Sequence, residues 1–230
     1  MRAAGVEANS IAYNSALGVC ERAARWARAL HFLKVFGDHR VRRDSYSYAI
    51  AISACARGAQ WGAAMMLFAE MQQASLRPNV IVHNVLISAC EKSMRWESAL
   101  RLLASLLGSS LEPDLISFSA SISACEKGWQ WSHALSLYTE MRLAGGLQPD
   151  VALFSATISA CAKGRQWERA LGLRGHMRQE CCRPDLVAHN AVLEACVEGA
   201  RWREALCELR GMRQLRTSPG AVSCLSLLEA

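Results

Sequence analysis

The sequence predicts an all-α fold, an α-solenoid built of antiparallel helix–turn–helix repeats of about 35 residues. Three observations predict it. Trp26, Trp61, Trp96, Trp131, Trp167 and Trp202 are spaced 35, 35, 35, 36 and 35 residues apart. Cys20, Cys55, Cys90, Cys125, Cys161 and Cys196 keep the same spacing, as do Phe36, Met71, Leu106, Met141, Met177 and Met212. Within each period, apolar residues recur twice at three-and-four spacing, which is the pattern of an amphipathic helix.

Six repeats follow, at residues 10–44, 45–79, 80–114, 115–150, 151–185 and 186–220. Positions below are counted from the first residue of each repeat. The extra residue of the fourth repeat falls near Gly145–Gly146, where a turn can absorb it. The first helix is clearest in the third repeat, where Ile81, Asn84, Val85, Ile87, Ser88 and Cys90 follow helical spacing. A basic residue closes it at position 13. Gly58, Gly128, Gly164 and Gly199 come next and are expected to be the left-handed residue that ends the helix. The second helix runs from Trp96 through Ala99, Leu100, Leu102, Leu103 and Leu106. The second to fifth repeats then close on LRPN (76–79), LEPD (111–114), LQPD (147–150) and CRPD (182–185). Proline blocks continuation, and the final Asp or Asn can cap the next helix.

At 230 residues, with 52% hydrophobic and 20% charged residues, the chain can bury a sizeable core. Its net charge of +6 and pI near 8.9 suit a polyanionic partner without requiring one. No run of 18 apolar residues occurs, and MRAAGVEANS has no signal-peptide core. Of ten cysteines, six sit one per repeat, and Cys181, Cys182, Cys207 and Cys224 form no ligand set. Buried free thiols in a reducing compartment are expected, with no metal and no cofactor. No Ser/His/Asp arrangement, phosphate loop or HExxH motif is present, so no catalytic residue is assigned and no enzyme activity is expected. The carboxylates of the second helices are read as solvated.

The recurring residues are mainly packing residues. Trp at position 17 is expected between the helices of its own repeat and the neighbour, and Cys at position 11 fills a tight helix–helix contact. His83 and His189 stand at position 4, where the other repeats carry Tyr13, Tyr48, Phe118 and Phe154. Both are read as fillers of an aromatic slot. Position 13 carries Arg22, Arg57, Lys92, Lys127 and Lys163, then Glu198. Five cations at one position form a ladder that could follow a phosphate backbone, or cations placed to suit the helix macrodipole.

The 35-residue period, openings such as VIVHNVLISAC (80–90) and DLISFSASISAC (114–125), and the closing PD or PN resemble the pentatricopeptide repeat family over residues 10–220. The near-invariant Trp and the ISACEKG wording look more like protist members with plastids than the plant consensus. The resemblance implies a right-handed superhelix that binds single-stranded RNA at one base per repeat. It implies base-edge readers at position 5 and the last position of each repeat: Asn14 with Asp44, Ala49 with Asn79, Asn84 with Asp114, Ser119 with Asp150, Ser155 with Asp185, and Asn190 with Gly220. Position 2 residues would sandwich the base: Ile11, Tyr46, Ile81, Ile116, Ala152 and Val187. Arg22, Arg57, Lys92, Lys127 and Lys163 would contact phosphates.

By the family's pairing rules the implied target is 5′-U-N-U-G-G-Y-3′, with Ala49 and Gly220 discriminating poorly. The implied setting is a chloroplast or mitochondrion, and the implied role RNA stability, processing, editing or translation. The alternative is a protein–protein scaffold of the tetratricopeptide kind. Residues 1–9 read as the tail of a preceding repeat, and residues 221–230 as the start of a seventh first helix, so the chain is expected to be an excerpt of a longer array.

Overall fold

The computed structural model describes residues 10–38, 43–109, 111–144 and 146–214. Residues 1–9, Gly220 and residues 221–230, on which three of the expectations fall, lie outside them, as does the side chain of Ile11. Twelve α-helices and no strand are present among the described residues. None is long and apolar enough to cross a membrane.

The chain divides into two compact units, Met1–Pro113 and Asp114–Ala230. The N-terminal unit contains α1 (Ser10–Arg22), α2 (Trp26–Asp38), α3 (Ser45–Arg57), α4 (Trp61–Gln73), α5 (Val80–Lys92) and α6 (Trp96–Leu107). Here α3 packs on α1 and α5, while α2 lies against α1 and α3 and α4 against α3 and α5. The C-terminal unit contains α7 (Leu115–Lys127), α8 (Trp131–Leu143), α9 (Val151–Lys163), α10 (Trp167–Gln179), α11 (Leu186–Glu198) and α12 (Trp202–Gln214), with the same scheme centred on α9. In both units the first helices of successive pairs pack directly on one another. Each second helix covers its own first helix, and where a further pair follows within the unit it also touches that pair's first helix.

Capping sets the starts of the first helices. Asp44, Asn79, Asp114, Asp150 and Asp185 accept hydrogen bonds from the amides of Ser47, Val82, Ser117, Leu153 and Ala188 at 2.7, 3.0, 2.8, 2.8 and 2.8 Å. These bonds satisfy amides that the helix itself leaves open. The cysteines behave as small hydrophobes: Cys55, Cys90, Cys125, Cys161 and Cys196 are buried free thiols on the first helices. Burial pushes the Cys55 thiol up to about 11, Cys125 to about 12 and Cys161 to about 11.

The ends of the first helices correct the reading of the glycines. Gly58, Gly128, Gly164 and Gly199 have φ of −81°, −85°, −85° and −87°, which any residue adopts. The left-handed residue is the next one: Ala24, Ala59, Met94, Trp129, Arg165 and Ala200 have φ between 51° and 59°. Hydrogen bonds from Gln60 to the Cys55 carbonyl (2.9 Å) and from Ala59 to Ala56 (3.2 Å) close this turn in the Schellman manner. Glycine sits one residue earlier for a tertiary reason. A Cβ at Gly58 would lie 2.5 Å from Cδ1 of Trp26, one at Gly199 would lie 2.5 Å from Cδ1 of Trp167, and one at Gly164 would overlap Trp131. Position 17 of each of these repeats thus rests on position 14 of the next. A non-glycine residue in the left-handed region costs about 1–2 kcal/mol, and a methyl group driven into an indole costs about 1–3 kcal/mol.

A second correction concerns the carboxylates. Glu208 of α12 is only 2% exposed and joins Arg174 of α10 and His189 of α11 in a buried ionic cluster. The His189 Nδ1 lies 2.6 Å from Glu208 Oε1. His189 fills the aromatic slot as expected, at the place where Phe154 meets Tyr138 of α8 at 5.6 Å and His83 meets Phe68 of α4 edge-on at 5.3 Å. Arg174 replaces the aromatic partner from the preceding pair, and so a carboxylate is needed between the two.

Candidate nucleic-acid interface

The first helices carry the implied contact residues. In the N-terminal unit, Tyr46 and Ile81 are 64% and 67% exposed at the second position of their repeats. In the C-terminal unit, Ile116 and Val187 are 62% and 58% exposed, and Ala152 is exposed as well. Helical spacing alone does not require apolar residues here, because each lies off the buried face of its helix. Water-facing Ile, Val and Tyr at one repeat position leave flat apolar surface available to a partner.

The structure brings the base-edge pairs Asn14–Asp44 and Ser155–Asp185 together. In the N-terminal unit the Ser47 hydroxyl sits between Asn14 Oδ1 at 2.7 Å and Asp44 Oδ1 at 2.6 Å. Partial burial works against ionisation of Asp44, yet hydrogen bonds from the Ser47 side chain and amide and from Asn14 outweigh it and hold the carboxyl below the usual range. In the C-terminal unit the Ser155 hydroxyl lies 2.9 Å from Asp185 Oδ1 and 2.7 Å from the Val151 carbonyl. Ser119 is half-buried and Asp150 exposed, Ala49 is half-buried, and Asn79 is the cap of α5. Asn84, Asp114 and Asn190 are half-buried.

The terminal Asp or Asn therefore caps a helix through Oδ1 in every described repeat junction. The cap does not exhaust the group, because a carboxylate accepts through two oxygens and about four lone-pair directions. Capping fixes its rotamer; Ser155 at position 5 donates to the same Oδ1 of Asp185 that caps α11, and Asn14 hydrogen-bonds the Asp44 carboxylate. The arrangement offers a donor and acceptor pair held by the backbone beside an exposed apolar face.

The position 13 cations differ in their surroundings. Arg22 and Lys92 are exposed. Arg57 stands 3.8 Å from Glu21 of α1, which also accepts from Ser53 at 2.7 Å. Lys163 Nζ lies 2.6 Å from Glu126 of α7, which accepts from Ser159 at 2.9 Å. Lys127 is half-buried. A carboxylate one repeat earlier thus stands against Arg57 and against Lys163.

Two features were not singled out from the sequence. Ser47 links a reader pair from position 3, a role that spacing does not reveal. Trp129, the tryptophan outside the 35-residue series, is 65% exposed, and the Lys163 ammonium lies 5.8 Å from its ring centroid. Its departure from the series was the available signal. Among the described residues no group of His, Cys, Asp and Glu could hold a metal ion.

Comparison with known proteins places these observations. The profile of the pentacotripeptide-repeat region of PRORP matches residues 37–204. The fold is similar to that of the maize pentatricopeptide repeat protein PPR10, with a TM-score of 0.68 at 17% identity over 99% of this chain and 37% of that one. PPR10 in complex with an 18-nt psaJ RNA element aligns with a TM-score of 0.61 at 18% identity, over 100% of this chain and 38% of that one. Nuclear protein-only RNase P 2 of Arabidopsis thaliana gives a TM-score of 0.73 at 14% identity, over 82% and 42%. The PPR domain of Arabidopsis thaliana protein-only RNase P 1, solved with tRNA, gives 0.69 at 14% identity, over 77% and 93%. The chain spans little more than a third of PPR10. No sequence match is found among curated proteins. With a profile match over well more than half its length and the helix pairs described above, the chain belongs to the pentatricopeptide repeat family.

Proposed function

We propose that this chain binds single-stranded RNA in a sequence-dependent manner, one base per repeat, as an adaptor without catalysis of its own. The observation that carries the reading is the exposed apolar residue at position 2, repeated at Tyr46, Ile81, Ile116 and Val187. An apolar side chain offers sequence-blind contact to a base face, and the neighbouring position 5 and terminal side chains supply hydrogen bonds to its edge. The pairs Asn14–Asp44 and Ser155–Asp185 are already oriented by their own hydrogen bonds, which lowers the cost of ordering them around a base. Solved relatives bound to RNA and to tRNA add support.

The proposed target is 5′-U-N-U-G-G-Y-3′, and the proposed setting is a plastid or mitochondrion, where binding would affect RNA stability, processing, editing or translation. The fold does not select the compartment, since one similar structure is of a nuclear protein. A fluorescent fusion in the source cell tests the compartment.

Binding to UAUGGU against a composition-matched scramble tests the base reading. Five phosphate contacts would give a log–log salt slope no steeper than about −3.5, at about 0.7 per contact on single strands. The carboxylates beside Arg57 and Lys163 make it shallower. Ser119→Asn should move the preference at the fourth base from G towards U. Equal affinity for both oligonucleotides would refute base reading, and an unchanged G preference would refute the register.

A further inference from the structure

Position 15 lies in the turn between the two helices of each repeat. It carries Ala24, Ala59, Met94, Trp129, Arg165 and Ala200, all left-handed and all exposed. Alanine is the usual occupant, and an indole is the bulkiest side chain the place could hold. Bulky residues rarely adopt this conformation. Trp129 has φ 59° and is 65% exposed, so burial offsets little of its backbone strain. The tryptophans of the 35-residue series pack between repeats, and Trp129 does not share that reason for its presence.

Beside the ring stands a cation of the next repeat. The Lys163 ammonium lies 5.8 Å from the ring centroid and 2.6 Å from Glu126 Oε1. The bond to Glu126 uses one of its three N–H groups. It also holds the ammonium in place, because Glu126 accepts from the Ser159 hydroxyl at 2.9 Å. Arg165, two residues beyond Lys163, adds a guanidinium paired with Glu198 at 3.2 Å. An exposed aromatic face beside cations is the combination by which proteins hold single-stranded nucleic acid.

Place along the helix decides which base can reach the ring. Ser119 is at position 5 of α7 and Lys127 at position 13, so about 12 Å of helix separates them. Trp129 lies two residues further, past the end of α7. A strand whose phosphates follow position 13 presents the bases to be read towards position 5. A base read there cannot also lie on Trp129, but a nucleotide turned the other way about the same backbone can.

We propose that Trp129 and Lys163 stack a nucleotide turned out between the bases read by the fourth and fifth repeats. The protein then accepts an RNA with one extra nucleotide at that point. The inference rests on the base reading proposed above. The indole takes the face of any base, and the ammonium faces the adjoining phosphate. The turn of the second repeat carries Ala59 instead and offers no such ring.

Fluorescence anisotropy with three RNAs provides the test: UAUGGU, UAUGAGU with an adenosine added after the fourth base, and UAAUGGU with one added after the second. Trp129→Ala should fold as the wild type does, since Ala24, Ala59 and Ala200 hold the same turn, and circular dichroism checks this. It should match the wild type on UAUGGU and UAAUGGU and bind UAUGAGU weaker by about fivefold or more, as the loss of one base–aromatic stack requires. Trp129→Phe should keep most of the wild-type affinity for UAUGAGU. Equal losses on all three RNAs, the mark of a merely structural indole, would overturn the proposal. So would a UAUGAGU affinity that Trp129→Ala leaves unchanged. Both results leave base reading intact as long as the wild type prefers UAUGGU to its scramble. A wild type without that preference refutes base reading, and the stacking site falls with it.

Discussion

Gly199→Ala separates local from tertiary reasoning by its sign. At φ −87° an alanine is unstrained, so local argument has the substitution stabilising the protein by about 0.4–1 kcal/mol through a less flexible unfolded chain. The neighbouring repeat reverses this. A Cβ at residue 199 would stand 2.5 Å from Cδ1 and 2.8 Å from Cγ of Trp167, about 1 Å inside the favourable separation of carbon atoms. Trp167 has little freedom to retreat, because the Arg201 guanidinium lies 4.2 Å from its ring centroid. Overpacking of this size costs about 1–3 kcal/mol, for a net loss of about 0.5–2 kcal/mol. Urea unfolding followed by circular dichroism measures it, with Gly172→Ala as control. Gly172 lies within α10 and a Cβ there meets nothing within 4 Å, so that substitution should stabilise by about 0.5–1 kcal/mol. Adding Trp167→Leu should recover part of the Gly199→Ala loss, a coupling of about 1 kcal/mol. If Gly199→Ala raises the midpoint as Gly172→Ala does, the indole contact is not what requires glycine.

Three further outcomes are expected. Glu208→Gln leaves the Arg174 guanidinium without its buried counter-charge, and should lower unfolding free energy by about 3 kcal/mol in the same titration. Burial, followed by the charges of Arg174 and Arg178, holds the His189 pKa below its ordinary 6.5. The unfolded chain therefore takes up a proton that the folded one refuses: stability from this group is complete above about pH 6.5 and falls as pH drops below it, and His189→Gln should flatten that part of the pH profile. Iodoacetamide at pH 8 should modify the exposed Cys181 and Cys207 of the native protein and spare Cys55, Cys125 and Cys161, whose burial pushes them up to about 11, 12 and 11; mass spectrometry with and without denaturant reads this directly.

Much of the architecture was legible because the repeat multiplies weak signals. One amphipathic stretch is ambiguous, but six in phase with Trp and Cys determine helix number, order and the N-caps of the first helices. The Asp and Asn caps were readable because capping is a local exchange of a side-chain oxygen for a nearby amide. The candidate site was less legible. Position 2 stood out only through the family resemblance, and its exposure became clear once the first helices were packed. The pairing of Lys163 with Glu126 joins residues 37 apart in sequence, and no local pattern distinguishes it from a cation left to solvent.

The sequence by itself determined the all-α class, the period, the helix boundaries and the residues that pack, because each depends on spacing within a few turns of one chain segment. Only the tertiary structure decided why glycine precedes the left-handed residue rather than occupying it, and why a carboxylate is buried in α12. Both depend on what the next helix pair places against the first: an indole over Gly199, and Arg174 beside His189. Sterics and desolvation across a repeat junction are properties of packed neighbours, and a residue's own repeat does not contain them.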